Sequence, residues 1–254
     1  MRPGRNPKAH RQAPGPLIYG INPVSFALGQ KLVVRVHVRV GATGRAFDVA
    51  HAALRMRIPV RETGLPELAQ MLGTEAHQGI GAEVKPFSDL DLSELFAPKG
   101  EPSLLLALDG VEDPQNLGAI IRTAVAVGCG GIVLPLARTA GITPAVVKAS
   151  AGLALVAKVA RHNLADAFRR LKDEGYWIVG ADAAAAANAL AFEFPSRTVL
   201  VVGGEGSGLR ELTRKSCDFV VKLPMSAGAE SLNASAAAAV VLYLAAGHRL
   251  VERV

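Results

Sequence analysis

The sequence predicts an α/β protein: a parallel sheet covered by helices over residues 103–254, preceded by a smaller α/β unit over 17–88. Three observations carry this. From Ser103 onward, apolar runs such as "SLLLALDG", "GGIVLP" and "RTVLVVGGEG" alternate with amphipathic stretches such as "NLGAIIRTAVAVG" and "LADAFRRLKDEG". Fully apolar strands of that kind are buried on both faces. Before that point the pattern is different: Val34–Val40, "VRVHVRV", alternates apolar and basic residues, which puts Arg35, His37 and Arg39 on one face of a half-solvated strand. Between the two regions, "DLDLSELFAPKGEP" (89–102) holds acidic residues, two prolines and a glycine, the composition of a linker.

Taken in order, residues 1–16, "MRPGRNPKAHRQAPGP", show no apolar periodicity and predict a disordered basic arm. "FDVAHAALRMRIPV" predicts a helix leading into a short strand of the first unit. In the second, "TPAVVKASAG" predicts a helix, "LALVAKVAR" a strand, "LADAFRRLKDEG" a helix and "YWIVGAD" a strand. "LRELTRKSC" follows as a helix, "DFVVKLPM" as a strand, and a long helix starts near Asn233. The alanine-rich "AAAAANALAF" around 183–192 is given no role.

Half of the 254 residues are apolar, enough for a substantial core, yet no apolar run reaches the ~20 uncharged residues of a membrane span. The basic N-terminus has no apolar segment behind it, so no secretory signal is expected. Cys129 and Cys217 stand far apart, and the six histidines are scattered without metal-ligand spacing. That excludes a disulfide framework and a zinc site and points to a reduced, cytoplasmic protein. The charge of +6 is uneven: residues 1–61 hold eleven Lys and Arg against Asp48 alone, which leaves the rest net acidic. A basic end on an acidic body suits a polyanion such as nucleic acid; an arginine-rich soluble tail would read the same.

Three segments leave apolar strands with glycines and polar groups. "VVGGEGSGLREL" (201–212) runs from a strand through Gly203, Gly204, Glu205, Gly206 and Gly208 into a helix. It has neither the Lys-Ser/Thr of a phosphate-binding P-loop nor the GxGxxG spacing of a dinucleotide fold. "LDGVEDPQNLGAIIRTA" (108–124) carries Asn116 and Arg122, and "LPMSAGAESLNAS" (223–235) carries Ser231, Asn233 and Ser235 at a helix start. Singly, each has a plain structural explanation: a surface arginine, an N-cap, a first-turn carboxylate, a glycine turn. Together they point to one composite site at the carboxyl ends of buried strands, where open α/β sheets bind ligands.

In order, spacing and residue type, "DPQNLGAIIRTA", "GGEGSGLREL" and "LPM…SLNAS" resemble the three motifs of the SpoU/TrmH family of RNA ribose 2′-O-methyltransferases. "LIYGINPVSFAL" and "AHQGIGAEVKP" resemble the N-terminal domain of its bacterial 23S rRNA guanosine 2′-O-methyltransferase subfamily, so the likeness spans roughly 17–250. It implies that 103–254 is a methyltransferase domain with a C-terminal deep trefoil knot, which no periodicity predicts, and that 17–88 is a substrate-binding domain for RNA. It implies S-adenosylmethionine as cofactor, held by Gly203 and Gly204, by Leu223 and Met225 on either side of Pro224, and by Leu232 and Asn233. It implies catalytic or positioning roles for Asn116, Arg122, Glu205, Ser231 and Asn233. Arg122 matches the family's motif arginine, often cast as the base. A guanidinium is a poor proton acceptor, and a phosphate clamp or an electrostatic brace for the developing alkoxide is the alternative. The partners implied are 23S rRNA or an assembling large ribosomal subunit, at a guanosine in the P loop of the peptidyl-transferase centre, and a second copy packed through the knotted domain. The long C-terminal helix fits such an interface, and fits a core helix equally. The same chemistry on tRNA or another rRNA loop is a second possibility, and a catalytically silent assembly factor a third.

Overall fold

The computed structural model describes residues 15–206, 208–226 and 232–251. The expected arm lies almost wholly outside them, as does Ser231. The chain forms two compact units, divided between Pro86 and Phe87.

The first unit runs β1 (Leu17–Tyr19), α1 (Ile21–Gly29), β2 (Val33–Arg39), α2 (Gly44–Arg55), β3 (Val60–Thr63), α3 (Leu65–Leu72) and β4 (Ile80–Val84). Its four strands take the order β1-β4-β2-β3, with β4 antiparallel to both its neighbours and β3 parallel to β2. Ile18, Val24, Val36, Ala53, Leu68 and Ile80 fill its core. Arg35 and His37 share one side of β2, as expected, since both reach Glu83, but that side is not solvated along its length. The register with β4 shifts between Val33 and Arg35, so Val34 and Arg35 are both exposed; His37, opposite Gly81 further along the strand, is buried. Such a bulge turns part of a strand over and breaks period-two alternation. His37 Nε2 and Arg35 Nη1 both meet Glu83 Oε1, at 3.0 and 3.1 Å. Tyr19 and Phe26 are half-buried.

The second unit holds seven strands, parallel throughout: β5 (Ser103–Asp109), β6 (Gly131–Leu134), β7 (Val159–Arg161), β8 (Trp177–Ala181), β9 (Ala187–Asn188), β10 (Arg197–Gly203) and β11 (Phe219–Lys222), in the order β7-β6-β5-β10-β8-β11-β9. The helices between them are α4 (Pro114–Ala126), α5 (Pro144–Ala149), α6 (Leu164–Asp173), α7 (Glu211–Ser216) and α8 (Ala234–Val251). Every residue of β5 and β10 is buried, as their uninterrupted apolar sequences require. Two expectations change. "LALVAKVAR" is a strand only over Val159–Arg161, because Leu153–Leu155 close a 3₁₀ turn after Gly152. The segment read as a linker belongs to this unit: Asp91 caps a 3₁₀ turn at Leu92–Leu95, and both leucines enter the core beside Leu105, Val133 and Phe168. Its apolar residues at 90, 92, 95 and 96 outweigh the turn-forming composition around them.

Candidate active site

The register of the sheet assembles the site. Gly203, at the end of β10, stands opposite Asp109, the last residue of β5. On the other side of β10, Val202 stands opposite Ala181 of β8, which in turn pairs with Val221 of β11. Four strands thus release their loops at one edge, and a cavity of about 630 Å³ opens there. Gly203, Gly204, Leu223, Met225 and Leu232 all line it, together with Glu205.

The glycines have two different reasons to be there. A Cβ on Gly203 would overlap the Gly208 carbonyl, and one on Gly204 would overlap that of Gly110, so both allow one stretch of backbone to cross another. Gly204 N–H donates to the Asp109 carbonyl at 2.9 Å, and Gly208 N–H to the Gly204 carbonyl at 3.2 Å, which closes the loop on itself. Gly206 is the other kind: it lines the cavity with φ +74, and nothing lies within 4 Å of where its Cβ would be. Asp109 holds the far end of the loop. Its fully buried carboxylate accepts from Arg210 N at 2.9 Å and is ion-paired with the Arg210 guanidinium.

Beside the cavity, Asn233 ties three segments together. Its Oδ1 accepts from Ser235 N (2.9 Å), Ser235 Oγ (2.6 Å) and Ala236 N (3.3 Å), capping α8. With the acceptor end used, the amide must turn its donors outward, and Nδ2 donates to Asn116 Oδ1 at 3.0 Å and to Glu205 Oε1 at 2.6 Å. Asn116 is itself placed by Asp113, which caps α4 and accepts from the Asn116 and Gln115 amides. One residue from each of the three sequence motifs thus meets in a single hydrogen-bonded cluster.

Arg122 does not join it. Six residues along α4 from Asn116, it lies about 9 Å further down the axis and about 120° around it. It is exposed, off the cavity wall, and without a hydrogen-bond or ion-pair partner among the described residues. Sequence reasoning missed Asp182 and Ala183, which also line the cavity. They follow the apolar strand "YWIVGA", and the rule that ligands sit at strand carboxyl ends would have found them despite the featureless alanines beyond.

The cavity suits an adenosine-containing cofactor. Its walls are mainly apolar, from Val202, Val221, Ala237, Ala238 and Val241, while loop backbone, the carboxylates of Asp182 and Glu205 and the ammonium of Lys222 supply polar and charged groups.

Comparisons with known proteins agree with this geometry. Residues 103–243 match the SpoU rRNA Methylase family, and residues 17–90 match the family described as RNA 2′-O ribose methyltransferase substrate binding. The chain is 37% identical over 243 residues to the 23S rRNA (guanosine-2′-O-)-methyltransferase RlmB of Pseudomonas putida, covering 93% of this chain and 98% of that one. It is 40% identical over 204 residues to the putative TrmH family tRNA/rRNA methyltransferase YacO of Bacillus subtilis, covering 79% and 82%. Among solved structures it is similar to the SpoU methyltransferase AviRb from Streptomyces viridochromogenes in complex with the cofactor AdoMet, with a TM-score of 0.75 and 29% identity over 92% of this chain and 90% of that one. The methylase match over the second unit, the substrate-binding match over the first and the likeness to RlmB over nearly the whole chain make this an RNA-modifying methyltransferase. The chain belongs to the SpoU rRNA methylase family.

Proposed function

We propose that this protein transfers a methyl group from S-adenosylmethionine to the ribose 2′-hydroxyl of a guanosine in 23S rRNA. The observation that carries the reading is the Asn116–Asn233–Glu205 cluster beside a cavity lined by Gly203, Gly204, Leu223, Met225 and Leu232. The identity to RlmB proteins over nearly the whole chain supports guanosine in 23S rRNA, and we take the P loop of the peptidyl-transferase centre as its site. The match of residues 17–90 to a substrate-binding family supports the first unit as the part that holds the RNA.

When bound, S-adenosylmethionine supplies an electrophilic methyl group on a sulfonium. The protein contributes placement and charge. Backbone groups of Gly203, Gly204, Leu223 and Leu232 would hold the cofactor, and the Asp182 and Glu205 carboxylates would favour its positive centre. The Asn233 cluster fixes the entrances of α4 and α8 against the glycine loop, which keeps the reacting atoms in line; alignment of that kind lowers a barrier by several kcal/mol. Arg122 clamps a substrate phosphate and steadies negative charge developing on the ribose oxygen. Ser231 belongs with the positioning residues.

Since Arg122 stands apart from the cluster of its own chain, we infer a homodimer in which a second copy brings that arginine to the site. The exposed Val240 and Tyr243 of α8 support an interface there. Family membership and the tight crossing of the 203–208 loop over Gly110 support a deep trefoil knot, and the absence among the described residues of a helix able to cross a membrane fits a cytoplasmic enzyme.

The test is methyl transfer from labelled S-adenosylmethionine to unmodified RNA made in vitro, with the product sized and the nucleotide mapped. Label on the ribose of one 23S guanosine is expected. Label on tRNA would overturn the substrate and keep the chemistry. No label on any RNA or on assembling large subunits, with cofactor binding intact, would favour a silent assembly factor.

A further inference from the structure

The first unit has its own cavity, of about 300 Å³, and its wall carries Arg39, Thr43, Arg45, Glu75, His77 and Gln78. We propose that this cavity binds a backbone phosphate of the RNA substrate, with Arg39 and Arg45 as its charged contacts. The proposal rests on the function proposed above and adds the place where the first unit holds RNA.

The sequence pointed to the whole face of β2, and the structure divides that face. Arg35 and His37 are committed to Glu83, and Arg61 to Glu67 at 2.8 Å. Arg39 and Arg45 meet no carboxylate among the described residues: the Arg45 guanidinium donates to neutral Asn22 Oδ1 at 2.8 Å, which steers it without cancelling its charge. Glu75 is the one carboxylate on the wall, against two guanidiniums.

The backbone adds to the same field. Ile21 of the first turn of α1, and Thr43 and Arg45 at the start of α2, all line the cavity, so two helices open onto it. Neither has an acidic residue in its first turn, and neither N-cap residue makes a side-chain capping bond. The first N–H of α1 is taken by Gln78, so it is the start of α2 that stands open, and a helix N-terminus in that state favours an anion. The turn between α3 and β4 holds the parts in place. Gln78, at φ 56, accepts from Ile21 N at 3.1 Å; Gly79, at φ +76, lies so close under the Arg39 side chain that a Cβ would come within 2.9 Å of its Cδ. The Gly79 carbonyl accepts from Arg39 N at 2.9 Å.

A phosphate fits this wall better than a base does. An RNA base is held mainly between stacking faces; no Phe, Tyr or Trp is among the described residues lining the cavity, and the Gln78 side chain, one of its hydrogen-bonding groups, is already taken by Ile21 N. Two guanidinium forks suit phosphate oxygens.

The experiment measures binding of the full-length protein to an unmodified 23S rRNA transcript across a series of salt concentrations, for wild type, Arg39→Gln, Arg45→Gln, the double variant and Arg35→Gln. Methyl transfer and S-adenosylmethionine binding by calorimetry are followed in parallel. Each single cavity variant is expected to weaken RNA binding about tenfold and to flatten the slope of log K against log salt by roughly one, and the double variant to flatten it by roughly two. Arg35→Gln should match wild type, and cofactor binding should be the same in all five. Cavity variants with wild-type slopes, alongside a wild type that methylates the transcript, would overturn this proposal alone. A wild type that neither binds nor methylates any RNA would overturn the proposed function and this site with it.

Discussion

At the scale of single residues the site depends on which end of an amide faces where. Asn233 caps α8 with its oxygen and reaches Asn116 and Glu205 with its nitrogen. Asn233→Asp keeps the cap and turns both links into contacts between acceptors. It should lower stability by about 1–3 kcal/mol and weaken S-adenosylmethionine binding, read by thermal melting and calorimetry. Asn233→Ser keeps a capping oxygen and should recover most of the stability without the binding. Cys217 gives a chemical test of burial: desolvation, with help from the Asp218 charge, pushes its thiol up to about 12. It should resist alkylation by iodoacetamide at pH 8.5 in the folded protein and react once unfolded, measured by mass spectrometry. The polar residues of the site were legible in the sequence as types at strand ends. Their pairing was not, because Asn233 and Asn116 are 117 positions apart and only the sheet brings them together.

At the scale of elements the loop after β10 separates two uses of glycine that look alike in "GGEGSG". Gly203→Ala sets a methyl group against the Gly208 backbone, which cannot step aside; it should cost about 2–3 kcal/mol of stability, seen in denaturant melts. Gly206→Ala meets open space, and its left-handed backbone costs about 1 kcal/mol. Its methyl group borders the cavity, so cofactor affinity should fall more than stability does. Sequence told that glycines follow a buried strand. It did not tell which of them meet the chain itself, since that depends on Gly110, supplied by a different strand end. The same limit applies to β2, where alternation placed His37 on a basic face and did not tell that it is buried against Glu83. Long apolar strands and amphipathic helices of the second unit were plain from periodicity, whereas the 3₁₀ turns at 92–95 and 153–155 were hidden inside segments of mixed composition.

At the scale of the whole molecule the two units have separate sheets and separate cores. Removing residues 1–86 should leave S-adenosylmethionine binding near wild type by calorimetry and abolish methylation of 23S rRNA. Retained methylation would move RNA recognition onto the second unit. The uneven charge of the sequence is compatible with RNA at the N-terminal part and does not by itself tell it from an arginine-rich tail. The order of strands in the larger sheet bears on how the protein is made. Its central partner for β5 is β10, which begins at Arg197, and β8 gains both its neighbours only from β10 and β11. During synthesis the first unit emerges complete, followed by β5, β6 and β7, which can pair at once while one edge of β5 stays open. That edge, and the whole of β8, must wait for the last quarter of the chain. A ribosome stalled before residue 197 should therefore carry a nascent chain whose first unit resists protease and whose second does not, and slow translation between β8 and β10 would lengthen the interval in which it can aggregate.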